Sequence, residues 1–531
     1  MSTLGTLSSG RLLRNPLVPL TAFLVAFWAA YESAQAILAD DLSSLSYAVL
    51  LSIACAVVIA ILNDWRRGVY LFVAWLLFED LFRKYLGNNM AIYFAKDFLV
   101  LVLYLSFFRT QRAKRLERLR IPFRVPLLLF VWFGVIQMFN PASSSIFYGI
   151  LGVKVDFLYI PLILVGYSFV RSDQDLQRFL GFLCALAMIV AGLGLVQSII
   201  GPTFLNPAHL QEDIRELSTT YRIAPISGLA AYRPNSVFVS GGRYADFLIL
   251  SWTVSLGYGG YLLLRSRQGR SLAFAAIGVI AAASLMSASR GVFMWEIGIA
   301  SVSVLGFVWG APWRQGEVIR VLRAIVRTTI FVLVGVVLLL MFFPNELGSR
   351  VAIYSETLMP DSPASELVHR TQTYPMQQLY YAFDHPRWPY GYGIGTTTLG
   401  TQYVVKLMHA APMRIGVESG VGNLIVELGI LGPVLWLLLG IGVVISTWRV
   451  LKKLKGTPWF PLGFAVALYS FLLFFPIEFV SSAAYQDFIL NSNLWLLLGI
   501  LYRIYLFPDR IQKNAQEVSH FKIPIPHSRF V

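Results

Sequence analysis

The sequence predicts an all-α membrane protein, a polytopic bundle of about fourteen transmembrane helices. Hydrophobic residues make up 57% of its 531 residues and charged residues 13%, a balance that argues against a soluble enzyme. Apolar runs recur at about the 20 residues that cross a bilayer core. They lie near residues 17–39, 44–62, 68–82, 90–108, 123–139, 146–169, 178–200, 244–264, 271–287, 291–309, 325–343, 420–446, 458–478 and 488–507.

The distribution of basic residues predicts that both termini lie in the cytoplasm. With the N-terminus inside, 29 of the 43 lysines and arginines fall on the cytoplasmic side and 12 on the outer side. Cytoplasmic loops of membrane proteins carry such an excess. The net charge of +15 is therefore explained by topology, and we expect no nucleic-acid partner.

The two ends of the chain carry no evident chemistry. The apolar run at 17–39 follows Arg11 and Arg14, as in a signal peptide, but it is long enough to span, so we expect an uncleaved first helix. Residues 508–531 are predicted to form a cytoplasmic tail. Cys55 and Cys184 both lie in apolar spans, so we expect no disulfide.

Three helices of the N-terminal half carry ionisable residues that a lipid-facing helix would avoid. Two interpretations remain open: the charges pair with one another inside the bundle, or they form a polar path or headgroup site. The residues concerned are Glu79, Asp80, Lys96, Asp97, Lys154 and Asp156.

Two long loops and one tight turn are predicted to share the outer face. The loops cover residues 201–243 and 344–419, and the turn is centred on Arg290 within an apolar hairpin. Loops of this length are rarely simple connectors. We treat the chain as a single membrane domain, in which helices at 1–200, 244–343 and 420–507 flank these loops.

Arginines are the most informative residues of this outer face. Arginine keeps its charge and presents a planar fork of donors that fits phosphate oxygens. Several of them beside a membrane indicate a pyrophosphate or an acidic headgroup, although contact with anionic lipid or with the loops' own carboxylates is the alternative for any single one. The outer arginines are Arg222, Arg233, Arg243, Arg290 and Arg370.

Glycine-rich segments accompany these arginines. Gly391–Thr396 reads Gly-Tyr-Gly-Ile-Gly-Thr, but no strand precedes it, so it is not a dinucleotide-binding fingerprint. Glu418 begins a second segment that contains Asn423 and Glu427. If a helix begins near Gly420, Asn423 and Glu427 lie one turn apart on the same face.

In these features the chain resembles the O-antigen ligase and polymerase superfamily of bacterial membrane glycosyltransferases. The resemblance covers roughly residues 233–435. Its most specific parts are the Ser-x-Ser-Arg-Gly turn at 287–291 and the Asn-x3-Glu-Leu-Gly-x2-Gly stretch at 423–432. The N-terminal half is typical of a distinct, divergent group within that superfamily.

The resemblance implies that a glycan is transferred or polymerised from a polyprenyl-pyrophosphate carrier onto a glycan or lipid acceptor. The active face would be the periplasmic side of the bacterial inner membrane, and neither cofactor nor metal is expected. Arg290 and Glu418 are the candidate catalytic residues. The candidate substrate-binding residues are Arg233, Arg243, Arg370 and Asn423.

Glu418 departs from the family pattern, in which a histidine usually precedes the asparagine. A free glutamate, with a pKa of roughly 4.3, is a poor base toward a sugar hydroxyl unless burial raises that pKa. Three roles remain open for Glu418: it accepts the acceptor's proton, it orients the acceptor, or it is a carboxylate stabilised by a helix N-terminus.

Two other functions fit part of the pattern. A lipid-linked glycan flippase also has about fourteen spans and intramembrane charges, but it would show two related halves and short loops. A polyprenyl-phosphate-sugar-dependent glycosyltransferase would place acidic residues in its first outer loop, where Asp40 and Asp41 lie. An acidic pair beside a span is commonplace, so this match is weak.

Overall fold

The computed structural model describes residues 55–86, 90–114, 117, 119–207, 210, 212–265, 268–312, 341–359, 361–362, 365–398, 400–409, 411, 413, 417–480 and 484–507, with scattered positions between 319 and 338. The predicted span at 17–39 and most of that at 44–62 lie outside the described residues, and that at 325–343 is described only in part. Arg11, Arg14, Asp40, Asp41 and the tail at 508–531 also lie outside the described residues.

The described part of the chain is a helical membrane protein. Six of its helical segments are long and apolar enough to cross a bilayer. They are Ile146–Phe169, Asp173–Ile200, Gly241–Arg265, Arg290–Gly310, Leu431–Leu454 and Phe460–Val480. Three shorter apolar helices, Arg124–Gln137, Arg270–Met286 and Phe488–Ile504, accompany them. The count of fourteen spans and their orientation remain predictions from the sequence.

The chain divides into two compact units, Met1–Glu117 and Arg118–Val531. In the first unit, residues 55–63 are helical and are followed by α1 (Trp65–Tyr85) and α2 (Met90–Lys114). The side chain of Asp64 caps α1 by accepting a hydrogen bond from the backbone N–H of Arg66 at 3.1 Å. Such caps satisfy an N–H group that the helix leaves free.

Two ion pairs are buried in α1 and α2. Lys96 Nζ lies 2.8 Å from Glu79 Oε1 and 3.8 Å from the centre of the Tyr93 ring. Arg83 Nη1 lies 2.8 Å from Asp80 Oδ1. Of the two interpretations drawn from the sequence for this unit, these contacts match mutual pairing.

The second unit contains seventeen α-helices and a two-stranded antiparallel hairpin among its described residues. In chain order they are α3 (Arg124–Gln137), α4 (Ile146–Phe157), α5 (Leu162–Phe169), α6 (Asp173–Ile200), α7 (Glu212–Ser218), β1 (Tyr221–Ile223), β2 (Ala230–Tyr232), α8 (Gly241–Arg265), α9 (Arg270–Met286), α10 (Arg290–Gly310), α11 (Pro344–Leu358), α12 (Glu366–Val368), a π-helical turn (His369–Thr373), α13 (Tyr374–Asp384), α14 (Thr401–Met408), α15 (Gly420–Leu428), α16 (Leu431–Leu454), α17 (Phe460–Phe474), α18 (Pro476–Val480), a 3₁₀ turn (Ala484–Gln486) and α19 (Phe488–Ile504).

Helix α19 forms the centre of the second unit, since every residue from Phe488 to Ile504 is buried. Its closest neighbour is α5, and glycines on both helices permit the approach. A Cβ on Gly166 would overlap the Leu496 carbonyl, and one on Gly499 would overlap the Ile163 carbonyl. Small residues at helix contacts are the usual way in which membrane helices pack closely.

The apolar run predicted near 420–446 is interrupted in the structure. Helix α15 ends at Leu428, and Gly429 adopts a left-handed φ of 70° before α16 begins. A Cβ at Gly429 would lie only 2.5 Å from the Pro389 carbonyl oxygen. The glycine therefore ends the helix and lets the segment at 389–391 pack against this break.

Candidate functional site

The turn before Arg290 is held by backbone and hydroxyl groups in a strained conformation. Ala288 has a φ of 51°, in the left-handed region that side chains other than glycine seldom adopt. Ser287 Oγ accepts a hydrogen bond from the Ser289 N–H at 3.1 Å and donates one to the Ser284 carbonyl at 2.7 Å. The turn is thus fixed, and Arg290 begins helix α10 directly after it.

Both predicted outer loops pack on this turn. Buried Ala288 contacts a small apolar cluster to which each loop contributes two residues: Ala224, Ala231, Ile353 and Tyr354. Glu356 of α11 also accepts hydrogen bonds from the backbone N–H groups of Ile226, at 2.7 Å, and Ser227, at 3.1 Å. The Arg290 turn and the described parts of the two loops therefore lie at one end of the second unit's helices.

Arg350 connects several of these segments through its side chain. The side chain is fully buried, and its Nε donates to the Met286 carbonyl at 2.8 Å. Its Nη2 donates to the carbonyls of Ser198, at 3.0 Å, and Tyr232, at 3.3 Å. Arg350 thereby joins the C-terminal ends of α6 and α9, and strand β2, to α11. This role is not predicted by the sequence, because the acceptor carbonyls lie in distant segments of the chain.

Arg290 and Arg370 meet across a single carboxylate. The side chain of Glu366 pairs with Arg290 through one oxygen, and its other oxygen lies 3.3 Å from Arg370 Nε. Arg370 also lies 3.5 Å from Glu418 Oε1 and stacks 4.1 Å above the centre of the Tyr374 ring. The structure therefore brings together three residues that the sequence nominated, Arg290, Arg370 and Glu418.

Arg222 of strand β1 completes this group. It lies close enough to Arg290 to repel its charge, as Arg370 does. We call Arg222, Arg290 and Arg370, together with Glu366 and Glu418, the arginine cluster. The cluster holds three guanidinium groups and two carboxylates, so it carries an excess of positive charge.

The pKa values of the groups in the π-helical turn and α13 follow from these contacts. Burial disfavours the charge of Arg370, but Glu418, Tyr374 and Glu366 outweigh it and raise the pKa of Arg370. Burial raises the pKa of Tyr374 to about 12, and the carboxylate of Glu418 adds to that rise. Arg370 is therefore charged and Tyr374 protonated at any physiological pH.

Arg233 lies near Arg222 and Arg290, and within the described part of the chain its guanidinium lacks part of its hydrogen bonding. Burial lowers the pKa of Arg233 to about 10, repulsion from Arg222 and Arg290 adds to this, and Asp246 opposes it. Its Nε is buried and has no hydrogen-bond partner among the described residues. A Cβ on Gly241 would lie 2.9 Å from Arg233 Cγ, so this glycine makes room for the side chain.

Arg243 belongs to a neighbouring group and not to the cluster itself. Its Nε lies 3.7 Å from Asp487 Oδ2, and its guanidinium stacks 4.8 Å from the centre of the Phe488 ring. Asp246 interacts electrostatically with both Arg233 and Arg243 and so connects the two. Arg243 is therefore held by two buried residues, Asp487 and Phe488.

Glu427 binds the glycine-rich segment through its carboxylate, a role that its sequence context does not predict. Its Oε1 accepts hydrogen bonds from the backbone N–H of Thr397, at 2.8 Å, and from the hydroxyls of Thr397, at 2.7 Å, and Thr398, at 2.9 Å. Its Oε2 accepts one from the Gly395 N–H at 3.1 Å. Through these four hydrogen bonds, the carboxylate of Glu427 holds the glycine-rich segment against α15.

The glycines of that segment serve its backbone path. Gly391, Gly393 and Gly395 all have left-handed φ values, of 77°, 105° and 87°. A Cβ on Gly395 would overlap the Tyr148 carbonyl. The segment therefore packs between α4 and α15, and this close packing explains its glycines.

Asn423 lies one turn before Glu427 on α15 but is not satisfied in the same way. Its side chain is only 8% exposed, and its Oδ1 has no hydrogen-bond partner among the described residues. Buried amide oxygens normally have a donor. Asn423 therefore presents an acceptor that suits a hydroxyl group.

Glu418 lies just before α15 and is 58% exposed. Its backbone N–H donates to Gln378 Oε1 at 2.9 Å, which ties it to α13. The helix itself is capped by Ser419, whose Oγ accepts from the Gly422 N–H at 3.0 Å. The carboxylate of Glu418 is thus directed to Arg370 and solvent, and another residue caps the helix.

Two residues that contact Arg370 were not predicted as site candidates from the sequence: Glu366 of the cluster and Tyr374, on whose ring Arg370 stacks. Glu366 stands four residues before Arg370 and Tyr374 four residues after it, a spacing that can bring side chains together on a helix. The contact between Glu366 and Arg290 has no such local signal. Within the part of the chain that the structure describes, no three His, Cys, Asp or Glu side chains are grouped so that they could hold a metal ion.

Comparison of the chain with models of known protein families finds no match, and comparison with curated proteins finds none either.

Proposed function

We propose that this protein transfers a glycan from a polyprenyl-pyrophosphate carrier to an acceptor hydroxyl at the outer face of the bacterial inner membrane. In this proposal it acts as a ligase or a polymerase in the assembly of a cell-surface polysaccharide. The observation that carries the proposal is the arginine cluster, in which arginines from separate segments converge beside the Arg290 turn.

The charge of the cluster suits a pyrophosphate. Like charges that are partly removed from water repel one another unless an anion accompanies them. Glu366 and Glu418 offset two of the three arginines, and Arg233, whose Nε has no hydrogen-bond partner among the described residues, adds a further positive charge near Arg222 and Arg290. A pyrophosphate would supply the missing negative charge and accept the forked donors of several arginines at once.

The proposed reaction is a displacement at the anomeric carbon of the donor sugar. The acceptor oxygen forms a new bond to that carbon, and the bond from the carbon to the pyrophosphate oxygen breaks with its electron pair on the departing pyrophosphate. Arg290 and Arg370 stabilise the charge that develops there, the type of stabilisation that contributes most in many enzymes. The proton of the acceptor hydroxyl leaves to a carboxylate or to water.

Asn423 and Glu418 are assigned to the acceptor. The free Oδ1 of Asn423 can accept a hydrogen bond from a sugar hydroxyl. The exposed carboxylate of Glu418, paired with Arg370, favours a role in orienting the acceptor over that of a buried general base.

The proposal is tested by a transfer assay with a radiolabelled polyprenyl-pyrophosphate glycan and protein reconstituted in lipid. Arg290→Ala is expected to lower turnover by roughly 10²–10³-fold, the loss typical when one donor to a developing charge is removed. Arg290→Lys is expected to be nearly as poor, because a point charge cannot replace the fork. Arg215→Ala, which removes an exposed arginine of the loop at 201–243 outside the cluster, serves as the matched control.

Full turnover of Arg290→Lys would show that only the charge matters and would remove the argument for bidentate binding. Full turnover of Arg290→Ala in well-folded protein would overturn the proposal.

A further inference from the structure

Helix α3 presents a lipid-type surface that ends abruptly. Its outward side chains are large, apolar and exposed, as expected of a helix that faces acyl chains. They are Val125, Leu128, Leu129, Trp132 and Ile136, followed by Phe139 just beyond the helix. The next residues, from Asn140 to Ser145, are mostly small and polar. The change from apolar to polar at Asn140 marks one edge of the membrane-embedded surface.

The segment at 388–391 is fastened to this edge. Gln137 Nε2 donates to the Tyr390 carbonyl at 3.0 Å, and Asn140 Nδ2 donates to the Gly391 carbonyl at 3.2 Å. Tyr390 itself is 77% exposed. An exposed tyrosine is thus held at the level where the apolar surface of α3 gives way to polar residues.

An amphipathic helix continues this surface. On α13, Met376 and Tyr380 are 68% and 69% exposed, and Phe383 is also exposed, whereas Gln378 and Ala382 are buried on the other side. The exposed three have the i, i+4, i+7 spacing of one helix face. The ring of Phe383 packs edge-on against Trp388 at 5.2 Å, which connects the helix to the segment at 388–391.

We propose that Met376, Tyr380, Phe383, Trp388 and Tyr390, which we call the aromatic stripe, dock into the headgroup region of the surrounding phospholipid bilayer. Tyrosine and tryptophan favour this region because their rings are apolar and their tips polar. Exposed Arg387 directly precedes the segment at 388–391 and suits lipid phosphates. The bilayer is the occupant because the stripe is continuous with the lipid-type surface of α3.

This placement sets the depth of the arginine cluster. The buried face of α13 carries Gln378, which holds the backbone of Glu418, and Arg370 lies in the turn directly before α13. With α13 lying in the plane of the membrane surface, the cluster lies beside lipid phosphates. The inference concerns how the loop meets the bilayer, and it does not rest on the proposed transfer reaction.

The test uses site-directed fluorescence in lipid nanodiscs made of phosphatidylethanolamine and phosphatidylglycerol. Single cysteines replace Met376, Phe383 or Gln377 in a variant carrying Cys55→Ser and Cys184→Ser, and each is labelled with bimane. Gln377 serves as the matched control, since it lies about 100° around α13 from Met376. Quenching is measured with lipids spin-labelled near the headgroup and, separately, with aqueous iodide.

We expect lipid quenching at positions 376 and 383 to be about twofold or more greater than at 377, with iodide quenching in the reverse order. Equal iodide access at all three positions, without lipid quenching, would overturn the proposal in favour of a loop that projects into water. Protection from iodide at 376 and 383 without lipid quenching would also overturn it, because a protein partner would then cover the stripe. The additional variant Tyr380→Cys repeats the measurement if either of the others does not fold.

Discussion

Two groups of charged residues in this molecule differ in their burial and in their balance of charge. In the first unit, six charged side chains of α1 and α2 are buried, three of them acidic and three basic. The acidic residues are Glu79, Asp80 and Asp97, and the basic residues are Arg83, Lys84 and Lys96. The arginine cluster of the second unit is only partly buried, and its arginines outnumber its carboxylates.

The difference separates charges that stabilise a fold from charges that suit a ligand. A buried, balanced network costs desolvation and is tolerated only when every charge has a partner. An unbalanced cluster at the surface keeps part of its hydration and still attracts an anion. Arg350 illustrates the first kind within the second unit, because its guanidinium donates to backbone carbonyls and to the carboxylate of Glu346.

The largest effect is expected from breaking the balanced network. Lys96→Ala leaves Glu79 buried without its cation and should lower the free energy of unfolding by about 3–5 kcal/mol. Thermal unfolding in detergent measures this loss. The double variant Lys96→Met, Glu79→Leu removes both charges and should recover most of the stability. An unchanged Tm for Lys96→Ala would show that the pair contributes nothing.

Two substitutions of Glu418, by glutamine and by alanine, distinguish the three roles described for its side chain. If it accepts the acceptor's proton, Glu418→Gln should lose roughly a hundredfold or more in turnover. The orienting role that we favour predicts a milder loss for glutamine and a larger one for alanine. Normal turnover for both variants would leave only the helix N-terminal role. The transfer assay with saturating donor measures all three.

A smaller effect on ligand affinity is expected at Glu366, whose carboxylate forms ion pairs with both Arg290 and Arg370. Glu366→Gln should leave the stability within about 1 kcal/mol, since the pairs are partly exposed. It should increase the affinity for a pyrophosphate ligand by roughly fivefold, because the competing carboxylate is neutralised. A decrease in affinity would indicate instead that Glu366 positions the arginines. Glu346→Gln, at the exposed carboxylate beside Arg350, serves as the control.

The predicted orientation of the chain in the membrane is tested by chemical labelling of introduced cysteines. The excess of basic residues on one side predicts that position 362 is outside and position 453 inside. Ser362→Cys and Lys453→Cys should react with an impermeant maleimide from opposite sides of intact cells. Labelling of both positions from outside would contradict the predicted topology.

Much of the described helical layout could be predicted from the sequence because it depends on local hydropathy. The Arg290 turn was predicted from the interruption of an apolar run, and the break at Gly429 has a local cause in that glycine. The break was nevertheless missed, since the apolar composition of residues 420–446 continues through it and the close approach of Pro389 comes from another part of the chain.

The candidate site was predictable only in part, for the same reason. Arg290, Arg370 and Glu418 were nominated by residue type and segment, but the link through Glu366 joins positions 76 residues apart. Glu427 was considered together with Asn423 because they share a helix face, whereas its partners lie about 30 residues upstream in the glycine-rich segment. Arg350 looks like an ordinary surface arginine beside Glu346 until its tertiary acceptors are known.

The most direct test of the central claim is the binding of a polyprenyl pyrophosphate to the purified protein in nanodiscs. Titration should give an affinity that falls about tenfold or more in Arg290→Ala and Arg370→Ala, the loss of one charge-assisted pair each. Arg215→Ala should bind as the unaltered protein does. Equal affinity across all four proteins would contradict the claim that the arginine cluster is a pyrophosphate site.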